Sequence, residues 1–205
     1  MLKKARIAVF VSGGGTNLQA LLDAEHSGAL QSGSIVLVIS DQPGAYALSR
    51  AENAGVEALT VTRAEHGGQA GFEEALLKEL AQRRIDLIVL AGFLNILSPE
   101  FVSRYPNRII NIHPSLIPSF CGKGMYGLRV HESALSRGVK VTGATVHFVN
   151  EIPDGGKIIF QKAVEILPDD TPETLQRRVM EQAEWILLPQ AAELVSSNLM
   201  KERAI

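Results

Sequence analysis

Four short apolar runs, Ile7–Val11, Ile35–Ile39, Leu87–Ala91 and Ile109–Ile110, constrain this chain more than any other feature. A strand with one wet face alternates apolar and polar residues, and these runs do not alternate. They read as strands buried on both faces, the habit of a parallel sheet covered by helices on each side. The segments between them have helical texture. Leu18–Ala24 follows a glycine-rich turn, and Ala45–Ala54 follows Asp41-Gln42-Pro43-Gly44 and stops at Gly55, a good C-cap. Phe72–Arg83 carries apolar residues at Phe72, Ala75, Leu76 and Leu80 with charges between. A further short strand fits Ala58–Val61. Strand–helix alternation with short links predicts an α/β, doubly wound, mostly parallel sheet with helices on both faces.

The texture changes after residue 140. Thr145–Val149 and Lys157–Val164 read as two strands joined by the turn Pro153-Asp154-Gly155-Gly156, an antiparallel C-terminal extension of the sheet. Thr171 then caps a long helix with Pro172 at its first position, and Thr174 stands where an ideal capping box has Glu. The helix is expected to run through Trp185 and to kink or restart at Pro189. Lys201–Ile205 has the look of a frayed end. No repeat, linker or low-complexity stretch divides the chain, so residues 1–205 are expected to form one domain.

Bulk properties exclude several functions. Net charge is −2, which gives no broad basic surface for nucleic acid. The single cysteine, Cys121, forbids an intrachain disulfide and a Cys-rich metal site, and suits a reducing, cytoplasmic setting. The basic start, Met1 to Arg6, precedes too short an apolar run for a secretory leader, and no stretch approaches a membrane span. No His or Cys pair has metal-ligand spacing, so no metal is expected.

Two motifs carry chemistry. Ser12-Gly13-Gly14-Gly15-Thr16-Asn17 lies between the first strand and the first helix. Glycines there let backbone approach a phosphate, and the helix start supplies free N–H groups and a favourable dipole. A P-loop would end in Gly-Lys-Ser/Thr, which is missing. A dinucleotide fingerprint would need Gly or Ala at Leu18 and a ribose-binding acid at the second strand end, where Asp41 sits only loosely. The loop therefore reads as a monophosphate site, with a plain tight turn as the alternative. The second motif is Asn111-Ile112-His113-Pro114-Ser115. Side chains two apart on a strand share a face, and Pro114 ends the strand. An amide donor beside an imidazole suits acyl-type transfer: one steadies an oxyanion and the other moves a proton. Taken alone, the pair is also a plain strand terminus with two capped polar residues.

The remaining candidates have quieter readings. His147 in Val146-His147-Phe148 reads as a core histidine with a satisfied hydrogen bond. His131 is expected on a helix, solvent-facing or partly buried, and His26 and His66 in loops. Cys121 has no evident base partner. Its glycine-rich loop, Cys121–Gly127, reads as a mobile lid near the phosphate.

With these motifs in order, the chain resembles the phosphoribosylglycinamide formyltransferase family. The resemblance covers nearly the whole length: Ser12–Asn17, Leu90-Ala91-Gly92-Phe93 with Ile96-Leu97-Ser98-Pro99, Asn111–Pro118, Thr142–Val149, Asp154-Gly155-Gly156, and Glu184-Trp185 before Pro189. It implies a Rossmann-like formyltransferase fold, with a ribonucleotide phosphate site in the N-terminal half and a folate site in the C-terminal half. It implies formyl transfer from 10-formyltetrahydrofolate to the amine of glycinamide ribonucleotide in purine synthesis. The partners implied are these two small molecules, with no nucleic acid and no membrane, for a monomer or homodimer. By the same resemblance Gly15, Thr16 and Asn17 hold the phosphate and Glu184 engages the glycinamide end. Leu94, Asn95, Ile96 and Leu97 line the pterin pocket, Asn150, Glu151, Ile152, Pro153 and Asp154 form a loop over it, and His147 lies near the folate. Asn111 then donates to the oxyanion, His113 protonates the departing folate nitrogen, and Asp154 favours the imidazolium form of His113 and can relay the amine proton through water.

The chain also departs from the family pattern. Many members carry Arg at the positions of Asn95 and near Gln69, where it would meet the folate glutamate tail. Here that contact is missing or passes to other cations such as Arg63. A formyltetrahydrofolate hydrolase shares Asn111, His113 and Asp154, but it carries an N-terminal regulatory domain for which a first strand at Ile7 leaves no room. Methionyl-tRNA formyltransferase adds a C-terminal domain and a basic surface. A non-catalytic nucleotide-binding module would keep the glycine loop and leave the Asn111–His113 pair without purpose.

Overall fold

The computed structural model describes residues 4–203. The basic start at residues 1–3 and the last two residues lie outside that range. Among the described residues, seven strands form one sheet: β1 (Ala5–Val11), β2 (Gly33–Ser40), β3 (Glu57–Thr60), β4 (Leu87–Leu90), β5 (Ile109–His113), β6 (Val141–Phe148) and β7 (Ile158–Glu165). Their order is β3-β2-β1-β4-β5-β6-β7. The first five are parallel, while β6 runs antiparallel to both β5 and β7. This is the doubly wound sheet with an antiparallel C-terminal side that the sequence predicts.

Helices α1 (Thr16–Ser27), α2 (Tyr46–Asn53), α3 (Gln69–Gln82), α4 (Pro99–Ser103), α5 (Leu128–Arg137), α6 (Pro172–Val179) and α7 (Trp185–Glu202) cover the faces. Strand β1 shows why the apolar runs do not alternate. Ile7, Val9 and Val11 point to one face, where they pack with Leu18 and Leu21 of α1 and Leu188 of α7. Ala8 and Phe10 point to the other, against Phe72, Leu76 and Leu80 of α3. Each face buries its own core, so both phases of the strand must be apolar.

The C-terminal helix pair departs from expectation. Thr174 does complete a capping box with Thr171, its hydroxyl taking the role of a Glu side chain. The break comes at a π-helical turn, Met180–Glu184, and regular helix restarts at Trp185, before Pro189. Pro189 has no N–H for the Trp185 carbonyl, and its ring crowds that carbonyl. One turn earlier, the Trp185 N–H reaches back to the Met180 carbonyl, a π-helical bond. His26 lies within α1 and not in a loop. His131 is fully buried on α5 and not solvent-facing.

Strand order reverses between β1 and β4, and the loops leaving their C-terminal ends meet there. Ser12 N–H donates to the Gly92 carbonyl (3.1 Å) and Leu94 N–H to the Ser12 hydroxyl (2.9 Å). In such sheets this crevice is where ligands bind.

Candidate active site

Strand β5 ends at His113 because Pro114 follows. Asn111 and His113 share one face, and the antiparallel register sets Asn111 opposite His147 and His113 opposite Thr145. The loop after β6 returns to this face. Gly156 lies so close to β6 that a Cβ would stand 1.6 Å from the Phe148 carbonyl oxygen. Asp154 adopts a left-handed backbone (φ 56°), which aspartate tolerates better than most residues. Its carboxylate reaches His113 Nδ1 (3.6 Å) and His147 Nε2 (3.5 Å). The structure thus brings Asn111, His113 and Asp154 together and adds His147 to them.

Hydrogen bonds fix the roles of the ring nitrogens. His147 Nδ1 lies 2.8 Å from the Phe148 carbonyl, which can only accept, so Nδ1 carries a proton. In the neutral ring Nε2 is then an acceptor, and the Asn111 Nδ2 amide donates to it at 3.1 Å. His147 therefore orients the amide of Asn111. His113 Nε2 donates to the Phe120 carbonyl (2.9 Å), leaving Nδ1 towards Asp154. That contact is longer than a hydrogen bond and is attractive when Nδ1 is protonated. Gly122 N–H donates to Asp154 Oδ2 (2.7 Å). Burial pushes the Asp154 carboxyl up, but the neighbouring His147 and His113 rings and the Gly122 N–H outweigh it and hold the group below the ordinary aspartate value. The segment Phe120–Gly122 thus grips both His113 and Asp154 by main-chain groups, a role that no side chain in the sequence signals. Burial and the Asp154 charge push the Cys121 thiol up, which disfavours a thiolate nucleophile. Burial and the charge of His113 bring His131 down to about 4, so it stands as a neutral ring behind the site.

The glycine loop lies beside this cluster. Gly15 is the left-handed N-cap residue of α1 (φ 72°), and a Cβ there would come within 2.6 Å of the Ala47 Cβ. No side chain caps the helix, so its first N–H groups are available to a ligand. Asn17 and Glu184 are both buried, and Asn17 Nδ2 donates to Glu184 Oε2 at 2.7 Å. Burial raises the Glu184 carboxyl to about 7, against the opposing hydrogen bond from Asn17. The π-helical turn delivers this side chain to the cavity wall, since Glu184 is its last residue.

Asn17, Asn111, His113, Gly122, His147, Asp154 and Glu184 line one cavity of about 390 Å³, which also takes in Leu94–Leu97, Lys123–Gly127, Asn150–Pro153, Gln176 and Met180. Its wall draws on both halves of the chain. Gly15 and Thr16 are not among its lining residues, whereas Asn17 is. Leu94, Ile96, Tyr126 and Ile152 expose apolar surface at the mouth. Asn95 gives its amide to the buried Asp41 and not to the cavity. Gln69 Nε2 and Arg63 Nη2 both donate to the Ile96 carbonyl, at 3.2 and 3.4 Å, which puts Arg63 at the rim. Among the described residues no three His, Cys, Asp or Glu side chains gather as metal ligands would, and no helix is long and apolar enough to cross a membrane.

The chain is similar to several known proteins. Residues 5–191 match the formyl transferase family. The chain is 41% identical to phosphoribosylglycinamide formyltransferase of Haemophilus influenzae over 177 residues, which are 86% of this chain and 81% of that protein. It is 42% identical over 199 residues to the human trifunctional purine biosynthetic protein adenosine-3 but spans only 19% of its length. In the Drosophila melanogaster protein of that name the share is 14%. Among solved structures, glycinamide ribonucleotide transformylase 1 of Symbiobacterium toebii superposes with a TM-score of 0.89 at 42% identity, covering 95% of this chain and 89% of that one.

Proposed function

The chain belongs to the formyl transferase family, in its phosphoribosylglycinamide formyltransferase branch, and on that premise we propose that it moves a formyl group from 10-formyltetrahydrofolate to the amine of glycinamide ribonucleotide. The observation that carries this is the placement of Asn111 and His113 on one strand face, with Asp154 against His113, at the wall of a ligand-sized cavity.

The glycine loop with Gly15, Thr16 and Asn17 takes the ribonucleotide phosphate, and Glu184 engages the glycinamide end. The apolar rim of Leu94, Ile96 and Leu97, position 95, His147 and the Asn150–Asp154 loop take the pterin. The tail then leaves past Arg63. The amine attacks the formyl carbon, and the C=O becomes a tetrahedral oxyanion. Asn111, its amide oriented by His147, donates an N–H to that oxygen. The bond from carbon to the folate nitrogen breaks, and that nitrogen takes a proton from the His113 imidazolium. The proton lost by the attacking amine passes through water to Asp154 and so restores His113. Donation from His113 Nε2 exchanges its present bond to the Phe120 carbonyl for one to substrate. All of these groups come from one chain, so the reading holds for a monomer or a homodimer.

The test is to incubate the protein with 10-formyltetrahydrofolate, with and without glycinamide ribonucleotide, and to follow tetrahydrofolate. Release only in the presence of the ribonucleotide is expected. Release without it would mark a hydrolase, and no release in either arm a binding module.

A further inference from the structure

We propose that Arg50 is a positioning residue for the phosphate loop, turning its amides towards the ribonucleotide phosphate; this rests on the reading of that loop given above. Arg50 lies on α2, outside the cavity wall. Its Nε donates to the Gly14 carbonyl (2.8 Å) and its Nη1 to Gln19 Oε1 (3.0 Å), while the guanidinium stacks 4.9 Å from the centre of the Tyr46 ring. On the same helix, Ala47 N–H donates to the Gly13 carbonyl at 3.1 Å. In a trans peptide the C=O and the next N–H point in opposite directions. With the Gly13 and Gly14 carbonyls drawn to α2, the N–H groups of Gly14 and Gly15 point away from it. They join the free N–H groups at the start of α1 as one set of donors. A Cβ at Gly13 or Gly14 would meet nothing within 4 Å, so the loop leaves room for an anion.

Charge argues the same way. Both groups that accept from the Arg50 guanidinium are neutral oxygens, so its positive charge adds to the field at the loop. The planar fork also matters, because one face stacks on Tyr46 while two N–H groups hold Gly14 and Gln19 together. A lysine would keep the charge and lose the fixed geometry.

The test uses the whole protein with Arg50→Gln and Arg50→Lys. Steady-state kinetics are run with glycinamide ribonucleotide and with the matching riboside that lacks the phosphate, and inorganic phosphate serves as the competing probe. Arg50→Gln is expected to raise KM for the ribonucleotide about tenfold, the scale of one charge-assisted hydrogen bond. It should leave kcat within about threefold, weaken phosphate competition in step, and leave kcat/KM for the riboside unchanged. Arg50→Lys should fall between wild type and Arg50→Gln, and it carries the test if the glutamine variant does not fold. A ribonucleotide KM within about twofold of wild type, or an equal loss with the riboside, overturns the proposal. If wild type itself ignores inorganic phosphate and uses the riboside as well as the ribonucleotide, the phosphate reading of the loop fails first and the role of Arg50 falls with it.

Discussion

Asp154 is the residue on which the proton chemistry turns. It faces two imidazoles and accepts one main-chain N–H, and these partners keep its carboxyl below the ordinary aspartate value despite partial burial. The sign follows: a lowered carboxyl stays ionised across the neutral range and loses its charge only in acid, below the ordinary aspartate range. Activity between pH 5 and 8 should therefore owe none of its pH dependence to Asp154. Asp154→Asn keeps an acceptor for Gly122 and removes the charge, so kcat should drop about 100-fold with both KM values little changed. Stopped-flow or steady-state assays decide it, and a kcat within a few-fold of wild type would remove Asp154 from the mechanism. The residues alone single out Asn111 and His113, and the family resemblance adds Asp154 as the partner of His113, but the hydrogen bonds that orient these groups are not legible in the sequence. His147 reads as a core histidine because its link to Asn111 exists only through the β5–β6 register. The Phe120 carbonyl is invisible to any reading of side chains.

At the scale of elements, the strands and first three helices follow from local pattern, since both phases of each parallel strand are buried. The π-helical turn does not. No local sequence pattern marks it, and the extra residue shifts the helical phase by about 100°, so a simple helical wheel misplaces Glu184. That turn presents a carboxyl to the cavity at a cost in stability. The rise from 4.5 to about 7 on burial corresponds to about 3 kcal/mol against the ionised form. Because the folded-state value is raised, folding is least penalised below pH 4.5, and stability is lost as pH rises to about 7. Glu184→Gln keeps an acceptor for Asn17 without the charge. Its melting temperature should match wild type near pH 4.5 and exceed it by several degrees at pH 8. Equal melting temperatures at pH 8 would mean that Glu184 is not held as described. The variant should also bind glycinamide ribonucleotide more weakly, since the amine loses its carboxylate.

For the molecule as a whole, the doubly wound sheet brings distant parts of the chain to one crevice. The glycine loop and the loop after β4 arrive from the strand-order reversal between β1 and β4. The antiparallel pairing of β6 on β5 adds His147 and carries the Asp154 loop back over the same face. Motif order in the sequence is enough to suggest this assembly. The shared cavity wall, with Asn17 and Glu184 joined across it, becomes visible only in three dimensions because helix packing rather than local pattern pairs them. The central claim is that this one cavity passes a formyl group between two bound substrates with His113 as the proton donor. It is tested most directly by a single-turnover experiment with formyl-labelled 10-formyltetrahydrofolate and glycinamide ribonucleotide, run on wild type and on His113→Ala, with ribonucleotide affinity measured alongside. The label should enter the ribonucleotide in wild type, and transfer should slow by about 10²–10⁴ in the variant while affinity changes less than about threefold. Transfer at near wild-type rate in His113→Ala, or label appearing as formate regardless of ribonucleotide, would contradict the account.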